Sequence, residues 1–426
     1  MLIEFSVENF RSFKEKQTFS LLASKDKSLL GENTFLINQK YNLLKTAMIY
    51  GANASGKSNL FNALVFFLSF TILSGPRGQN GEPIKAIPFM LDVQKQHEPS
   101  SFEIMFLLSD SENTPIRYRY GLKLNKAQIL EEYLFAVNKT REVNLFEREN
   151  QDITANKTWF SEYGTFNPKI VRKNASYLSI CAQNNGEISS KIIKYFQNLI
   201  VLSGINIPSI FTFNSPKKSE NLTRVTKFLQ FADIQIKDLK KRKVPVNFDD
   251  TDPEFSEFLK RKFPNAQEDQ ILYTHELYDK DVSIGTFDLP DEEESVGTRK
   301  LFDYAGFILS ILDKGGILFI DEFDSSLHPI IVENIVKLFN DPCINKNNAQ
   351  LVISCHAVTL MTNKLFRRDQ IWFCEKDKYG ASDLYSLLDI DEPVRKDATY
   401  NKSYLTGKYG AIPNIDIIRL QMECQS

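Results

Sequence analysis

Eight residues early in the chain, Gly51-Ala52-Asn53-Ala54-Ser55-Gly56-Lys57-Ser58, fit the phosphate-binding pattern G-x-x-x-x-G-K-[ST] without a mismatch. This Walker A pattern constrains the fold because it works only between a strand and a helix. The apolar run 47–50 precedes it, and Asn59-Leu60-Phe61-Asn62-Ala63-Leu64 opens a helical pattern behind it. Backbone N–H groups at a helix N-terminus hold phosphates well, because the helix dipole favours negative charge there. Glycines at 51 and 56 let the backbone bend around a β-phosphate. Lys57 is placed to reach the β- and γ-oxygens, and the Ser58 hydroxyl can ligate Mg²⁺.

A second half of such a site lies far downstream. The apolar run Ile317-Leu318-Phe319-Ile320 ends in Asp321-Glu322, a Walker B pattern on a strand buried on both faces. Asp321 would hold Mg²⁺ beside Ser58, and Glu322 would polarise the attacking water. The next apolar strand, 351–354, carries Cys355 and His356 at its end. Polar residues at the carboxyl ends of parallel strands point into the site crevice. His356 is therefore a candidate γ-phosphate sensor, with a satisfied strand-end histidine as the plain alternative.

Ser295-Val296-Gly297-Thr298 precedes an apolar helix over 301–312. A turn of small residues at a helix N-terminus is another anion site. A second cradle is redundant for one nucleotide but makes sense if it serves a neighbouring subunit. The plain alternative is a helix cap by Ser295 or Thr298.

The length of 426 residues allows two or three domains. A net charge of -2 gives no general argument for nucleic acid. The basic run 240–243 reads as a solvated face or a local nucleic-acid or partner contact, and the acidic cluster 249–252 as a solvated face. Five scattered cysteines, Cys181, Cys343, Cys355, Cys374 and Cys424, lack CxxC spacing. They suggest a reducing compartment without a zinc site. No leader is apparent at the start, and the apolar run 60–73 is too short to span a bilayer comfortably. A cytoplasmic protein without membrane contact is expected.

Along the chain, alternation over 2–10 predicts an edge strand with one buried face. Strands over 102–108, 116–124, 131–137 and 143–147 form a meander. Helical patterns over 189–204 and 221–231 suggest a mainly helical insertion. The expected domains are an N-terminal lobe over 1–180, a mainly helical insertion over 181–290 and a C-terminal lobe over 291–426.

Taken in order, these motifs resemble an ABC-type ATPase of the RecF/SMC branch: Walker A, signature (295–298), Walker B, D-loop (324–327) and switch histidine (His356). The opening Val7-Glu8-Asn9-Phe10-Arg11-Ser12-Phe13 is similar to that branch's first strand and turn. More closely, the chain resembles the small coiled-coil-less AAA family ATPases of phage-defence operons, the RloA and AbiL kind. Asn53-Ala54-Ser55, Glu294-Ser295-Val296-Gly297-Thr298, Asp324-Ser325-Ser326-Leu327-His328-Pro329 and the stretch 404–413 carry that match. Val296 departs from the usual signature, which has glycine there. No residue stands out as the Q-loop glutamine; Gln94 and Gln96, after Pro88-Phe89-Met90-Leu91-Asp92, are candidates.

The resemblance implies an α/β P-loop NTPase with an ABC-ATPase-like head and a mixed sheet. An antiparallel β-meander subdomain and a mainly helical lobe would complete it. It implies ATP and Mg²⁺ as cofactors, with Gly51, Asn53, Ser55, Gly56, Lys57, Ser58 and Asn59 around the nucleotide and Arg11 nearby. Lys57, Glu322 and His356 would serve hydrolysis, and Ser58 and Asp321 the metal. Ser295 and Gly297 would close on the nucleotide of a partner in an ATP-dependent dimer or higher homo-oligomer. The implied role is a switch or sensor controlling an effector in antiviral, abortive-infection-type defence. An RloB-like nuclease encoded nearby is the expected effector. The alternatives are a RecF-like DNA-binding ATPase in repair, with nucleic acid as partner, and an adaptor that binds ATP without turnover. A fused nuclease is not expected, because only 356–426 follows the switch histidine; Glu375, Asp377, Asp389 and Asp391 read as surface carboxylates.

Overall fold

The computed structural model describes residues 1–109, 114–138, 141–164, 168–204, 218–246, 256–257, 261–262, 267–390, 394–395 and 398–413. The acidic cluster 249–252 and Asp391 lie outside these. The chain divides into two compact units. One joins Met1–Ile205, Ile311–Ser325 and Val332–Ser426; the other joins Asn206–Ser310 and Ser326–Ile331.

The first unit begins with β1 (Leu2–Glu8), β2 (Gln17–Ser20), one turn of helix α1 (Leu30–Asn33), the hairpin β3–β4 (Thr34–Ile37, Tyr41–Leu44) and β5 (Thr46–Tyr50). The P-loop leads into α2 (Lys57–Leu73). A meander follows: β6 (Ser100–Ser109), β7 (Pro115–Leu124), β8 (Ile129–Asn138), β9 (Arg141–Glu149) and β10 (Asp152–Ala155). Helices α3 (Tyr177–Gln183) and α4 (Glu187–Gln197) then reach β11 (Leu199–Ser203). The second unit contributes α5 (Lys218–Phe231), β12 (Asp238–Pro245), β13 (Gln267–Asp279) and β14 (Val282–Pro290). Helix α6 (Val296–Lys314) runs on to β15 (Ile317–Asp321), α7 (Pro329–Asn340), β16 (Gln350–Ser354), β17 (Ile371–Lys376), β18 (Ser382–Ser386) and α8 (Tyr400–Leu405).

Two sheets organise the first unit. One is antiparallel, in the order β10-β9-β8-β7-β6-β1-β2. The other runs β11-β15-β16-β5-β17-β18, parallel except for its edge strand β18. Helix α2 packs on strands of both sheets. Its Phe67 ring lies 5.9 Å from Phe5 and 5.7 Å from Tyr120 on the antiparallel side, and its Phe61 lies 5.8 Å from Phe319 of β15. A helix apolar on nearly every face suits this position between two layers.

Three expectations are corrected here. β1 is not an edge strand: it sits between β6 and β2. Its polar row is covered by β2, where Ser20 donates to Glu4 and Thr18 pairs with Ser6. The helical pattern over 189–204 stops at Gln197. The run 199–203 instead pairs with β15, since a short apolar run cannot be told from a helix by periodicity alone. The insertion over 181–290 is not mainly helical among the described residues. Its α5 is joined by the antiparallel sheet β12-β13-β14, and residues up to 205 belong with the first unit.

The basic run lies on β12, where two of its charges are met across the strands. Lys240 pairs with Asp288 at 2.9 Å, and Lys241 with Asp269 at 2.9 Å. Among the described residues, no helix is long and apolar enough to cross a membrane.

Candidate functional site

The P-loop is a bend that admits no side chain at its two glycines. A Cβ on Gly51 would collide with the Cys374 carbonyl and lie 2.7 Å from the Ser55 hydroxyl. A Cβ on Gly56, whose φ is 117°, would collide with the Ser382 hydroxyl and lie 2.9 Å from that of Ser12. The loop is held from behind by the last two strands of the parallel sheet. Ser382 donates to the Ser55 carbonyl at 2.6 Å, and the Cys374 thiol to the same oxygen at 3.3 Å. Burial pushes that thiol up to about 12. The Ser382 amide donates to the Ser12 carbonyl at 2.8 Å, and Asn59 donates to the Ser12 hydroxyl at 2.8 Å.

Lys57 is buried at the start of α2 and donates to the carbonyls of Gly51 at 2.8 Å and Ala52 at 3.0 Å. Burial lowers its pKa, opposed by Cys374, Asp321 and Glu322. An anion in the loop would supply the counter-charge that desolvation makes valuable. Ser55 is also buried, and its hydroxyl has no hydrogen-bond partner among the described residues. Asn53 is exposed and Ser58 half-buried. Arg11 is exposed too, with its guanidinium 5.8 Å over the Phe10 ring. The direct contact with the P-loop helix is made by the following residue, Ser12.

β15 and β16 flank the same region, because β16 pairs with β5. The Ser354 hydroxyl donates to the Asp321 carboxylate at 2.5 Å and accepts from the Glu322 amide at 2.7 Å. Glu322 has a φ of 52°, uncommon for a residue with a side chain. The Asp324 carboxylate accepts from the amides of His356 at 2.9 Å and Ala357 at 2.8 Å, tying the D-loop to the β16 end. His356 is exposed and lines one cavity with Gly51, Ala52 and Asn53.

Ser295 and Gly297 belong to the second unit. The Ser295 hydroxyl accepts from the Thr298 amide at 3.1 Å and pairs with the Thr298 hydroxyl at 2.9 Å, so it caps α6. A Cβ on Gly297 would lie 3.0 Å from the Ser326 carbonyl. Gln96 donates to the Met90 carbonyl and is half-buried.

Three contributors were not singled out from sequence. Ser354 closes a strand already expected to enter the site, and a hydroxyl at that end was its signal. Ser382 and Cys374 gave no signal, because their contact with the loop depends on sheet order.

The residues fit a nucleotide and Mg²⁺. The buried Lys57 ammonium and the Ser55 hydroxyl, unpartnered among the described residues, offer a cation and a donor to phosphate at the loop. The Ser58 hydroxyl and Asp321 carboxylate are oxygen donors, as Mg²⁺ requires when phosphates complete its shell. Among the described residues, no cluster of three or more His, Cys, Asp or Glu would hold a metal without them.

The family described as "AAA domain, putative AbiEii toxin, Type IV TA system" matches residues 47–362. No curated protein matches the chain. Among solved structures it is similar to the SMC head domain from Thermotoga maritima. That similarity has 13% identity and a TM-score of 0.39, covering 90% of this chain and 98% of that one. It is also similar to an SMC head crystallised with the C-winged helix domain of ScpA, at 12% identity and a TM-score of 0.37, covering 90% of this chain and 97% of that one. The matched span begins in the strand before the P-loop and ends beyond His356, so it takes in both halves of the site, and the chain belongs to this AAA-domain family.

Proposed function

We propose that the chain binds Mg²⁺ and ATP at the P-loop, hydrolyses the γ-phosphate bond and uses that cycle as a switch. The observation that carries this is the Ser354 hydroxyl joining Asp321 to the Glu322 backbone beside the P-loop strand. Such a link preorganises the Asp321 carboxylate and the backbone from which the Glu322 side chain projects. Bound Mg²⁺ would neutralise charge developing on the β- and γ-oxygens. Lys57 would leave its loop carbonyls for the phosphates, Asp321 and Ser58 would hold the metal, and Glu322 would orient the attacking water. His356 would sense the terminal phosphate.

The partner's Ser295 and Gly297 would close over that phosphate in a head-to-tail dimer that exists only with ATP bound. Hydrolysis then reopens it and times the release of an effector, in keeping with antiviral defence of the abortive-infection kind. An RloB-like nuclease suits the effector role. The cross-strand pairing of Lys240 and Lys241 with Asp288 and Asp269 gives no support to a DNA clamp.

The test is Mg²⁺-dependent ATP turnover and oligomeric state for the wild type and Glu322→Gln. The variant is expected to bind ATP, to turn over roughly 10²–10³-fold more slowly and to accumulate as the dimer. Equal turnover in the two proteins would sink the assignment.

A further inference from the structure

Next to the P-loop, and in addition to the Ser55 hydroxyl, a second buried polar atom is left without a partner among the described residues. Tyr50 ends β5 and is 1% exposed, and its hydroxyl has no hydrogen-bond partner among the described residues. Leaving such a group unpaired is costly, so an orphan hydroxyl at a site edge points to a ligand. Tyr50 lines a cavity of about 580 Å³ together with Gly51, Ala52, Asn53, His356 and Ile412. Those P-loop residues and His356 are the ones that would face a terminal phosphate.

The ring is held in place from the C-terminal side. Tyr404 of α8 lies 6.1 Å from Tyr50 and stacks on Phe373 of β17 at 5.5 Å. The Tyr404 hydroxyl donates to the Ala411 carbonyl at 2.9 Å, and Tyr385 donates to the Tyr409 carbonyl at 2.8 Å. Residues 404–412 thereby form a hook, and its Tyr404, Leu405 and Ile412 line the same cavity as Gly51–Asn53. The hook is built by specific hydrogen bonds and ring contacts, so the position of Tyr50 is fixed before any ligand arrives.

We propose that Tyr50 is a specificity-determining residue, whose hydroxyl donates to the γ-phosphoryl group and so distinguishes a nucleoside triphosphate from a diphosphate. This rests on the ATP reading above. Burial raises the phenol well above its ordinary pKa, so it stays a donor at any working pH. Removing the hydroxyl would leave ring packing intact and cost only contacts to the third phosphate. The hook acts through Tyr404, a positioning residue packed beside the Tyr50 ring.

The experiment measures the affinity of the full chain for a non-hydrolysable ATP analogue and for ADP, in the wild type, Tyr50→Phe and Tyr404→Phe. Tyr50→Phe is expected to weaken the triphosphate analogue by about tenfold or more, as for a hydrogen bond to a charged group, with ADP affinity within about twofold. Its melting temperature without nucleotide should hold or rise, which a structural role for the hydroxyl would not allow. Tyr404→Phe should weaken the analogue selectively but less, and gives the readout if Tyr50→Phe fails to fold. Unchanged analogue affinity, or an equal loss for both nucleotides, overturns the inference and leaves the ATP reading standing. A wild type that binds neither nucleotide overturns the ATP reading itself.

Discussion

The Ser354 hydroxyl donates to the Asp321 carboxylate at 2.5 Å while accepting from the backbone amide that follows it. One side chain on β16 thus fixes the carboxyl end of β15. The two strands are parallel neighbours, so their ends reach the same edge of the sheet, and β5 with its P-loop lies on the other side of β16. Separate motifs become one site because the strand order is β15-β16-β5.

Ser354→Ala should therefore damage function more than fold. The substitution leaves the Glu322 amide without its partner and frees the Asp321 carboxylate to turn. A stability loss of about 1–3 kcal/mol is expected from the unpaired group. Turnover should fall by roughly 10–100-fold through misplaced carboxylates, with ATP affinity less affected. Calorimetry and steady-state kinetics on the same preparation separate the two effects; a large loss of stability with normal turnover per folded molecule would contradict the orienting role.

Gly56→Ala tests the P-loop bend. The added methyl meets the Ser382 hydroxyl and sits at a φ of 117°, which an L side chain rarely adopts. Nucleotide binding should drop below detection at micromolar ATP. Gly56→Ala combined with Ser382→Gly removes the Ser382 collision but neither the 2.9 Å approach to the Ser12 hydroxyl nor the backbone strain, so it should recover only part of the affinity. Full recovery in the double variant, read by nucleotide titration, would mean that crowding alone sets the requirement.

The sequence exposed what is local. Walker A, the β15 end and the β16 end each lie within a few contiguous residues, and each appears where its pattern predicts. Contacts made across the sheet were not legible. Ser382 braces Ser55 across 327 residues of chain, and nothing near either position announces it. The strands of the second unit were hidden for another reason. β14 carries apolar residues at Val282, Ile284, Phe287 and Leu289, but Gly285-Thr286 shifts their alternation and most of the strand is exposed, so the pattern marks no single buried face. β11 reads as helix in the sequence because its apolar residues say only that it is buried, and pairing with β15 decides the rest.

A buried ion pair holds the meander to α3. Glu132 and Arg148 are both fully buried, with nitrogen and oxygen 3.6 Å apart. The Glu132 carboxylate also accepts from the Tyr177 amide at 2.7 Å, the Leu178 amide at 3.0 Å and the Ser176 hydroxyl at 3.0 Å. It serves as the anionic cap of that helix. Arg148 in turn donates to the Ala175 carbonyl at 2.8 Å. Glu132→Ala should cost about 3–5 kcal/mol, because it strands a buried guanidinium. Glu132→Ala with Arg148→Met should cost less than the single change, read by denaturant unfolding as a double-mutant cycle. Additive losses would show that the two groups act independently.

The second unit should carry a pH dependence that the ATP site does not cause. Asp303 on α6 is raised to about 7, first by desolvation and then by the Asp291 carboxylate, with Arg299 opposing. Asp291 is itself raised, chiefly by burial. An acid whose folded pKa exceeds its unfolded value binds more protons when folded. Its contribution is complete below about 4, the ordinary range for the group, and is lost as pH rises through about 7. Between those limits the slope from this group is at most about 1.4 kcal/mol per pH unit, in the direction of lower stability at higher pH. Asp303→Asn keeps the shape and removes the titration. It should flatten the stability profile from about pH 4 to 7 and leave the variant more stable than the wild type at pH 8. Unfolding free energies measured across that range decide the matter: parallel profiles for the two proteins would mean that Asp303 is already ionised in the fold at neutral pH.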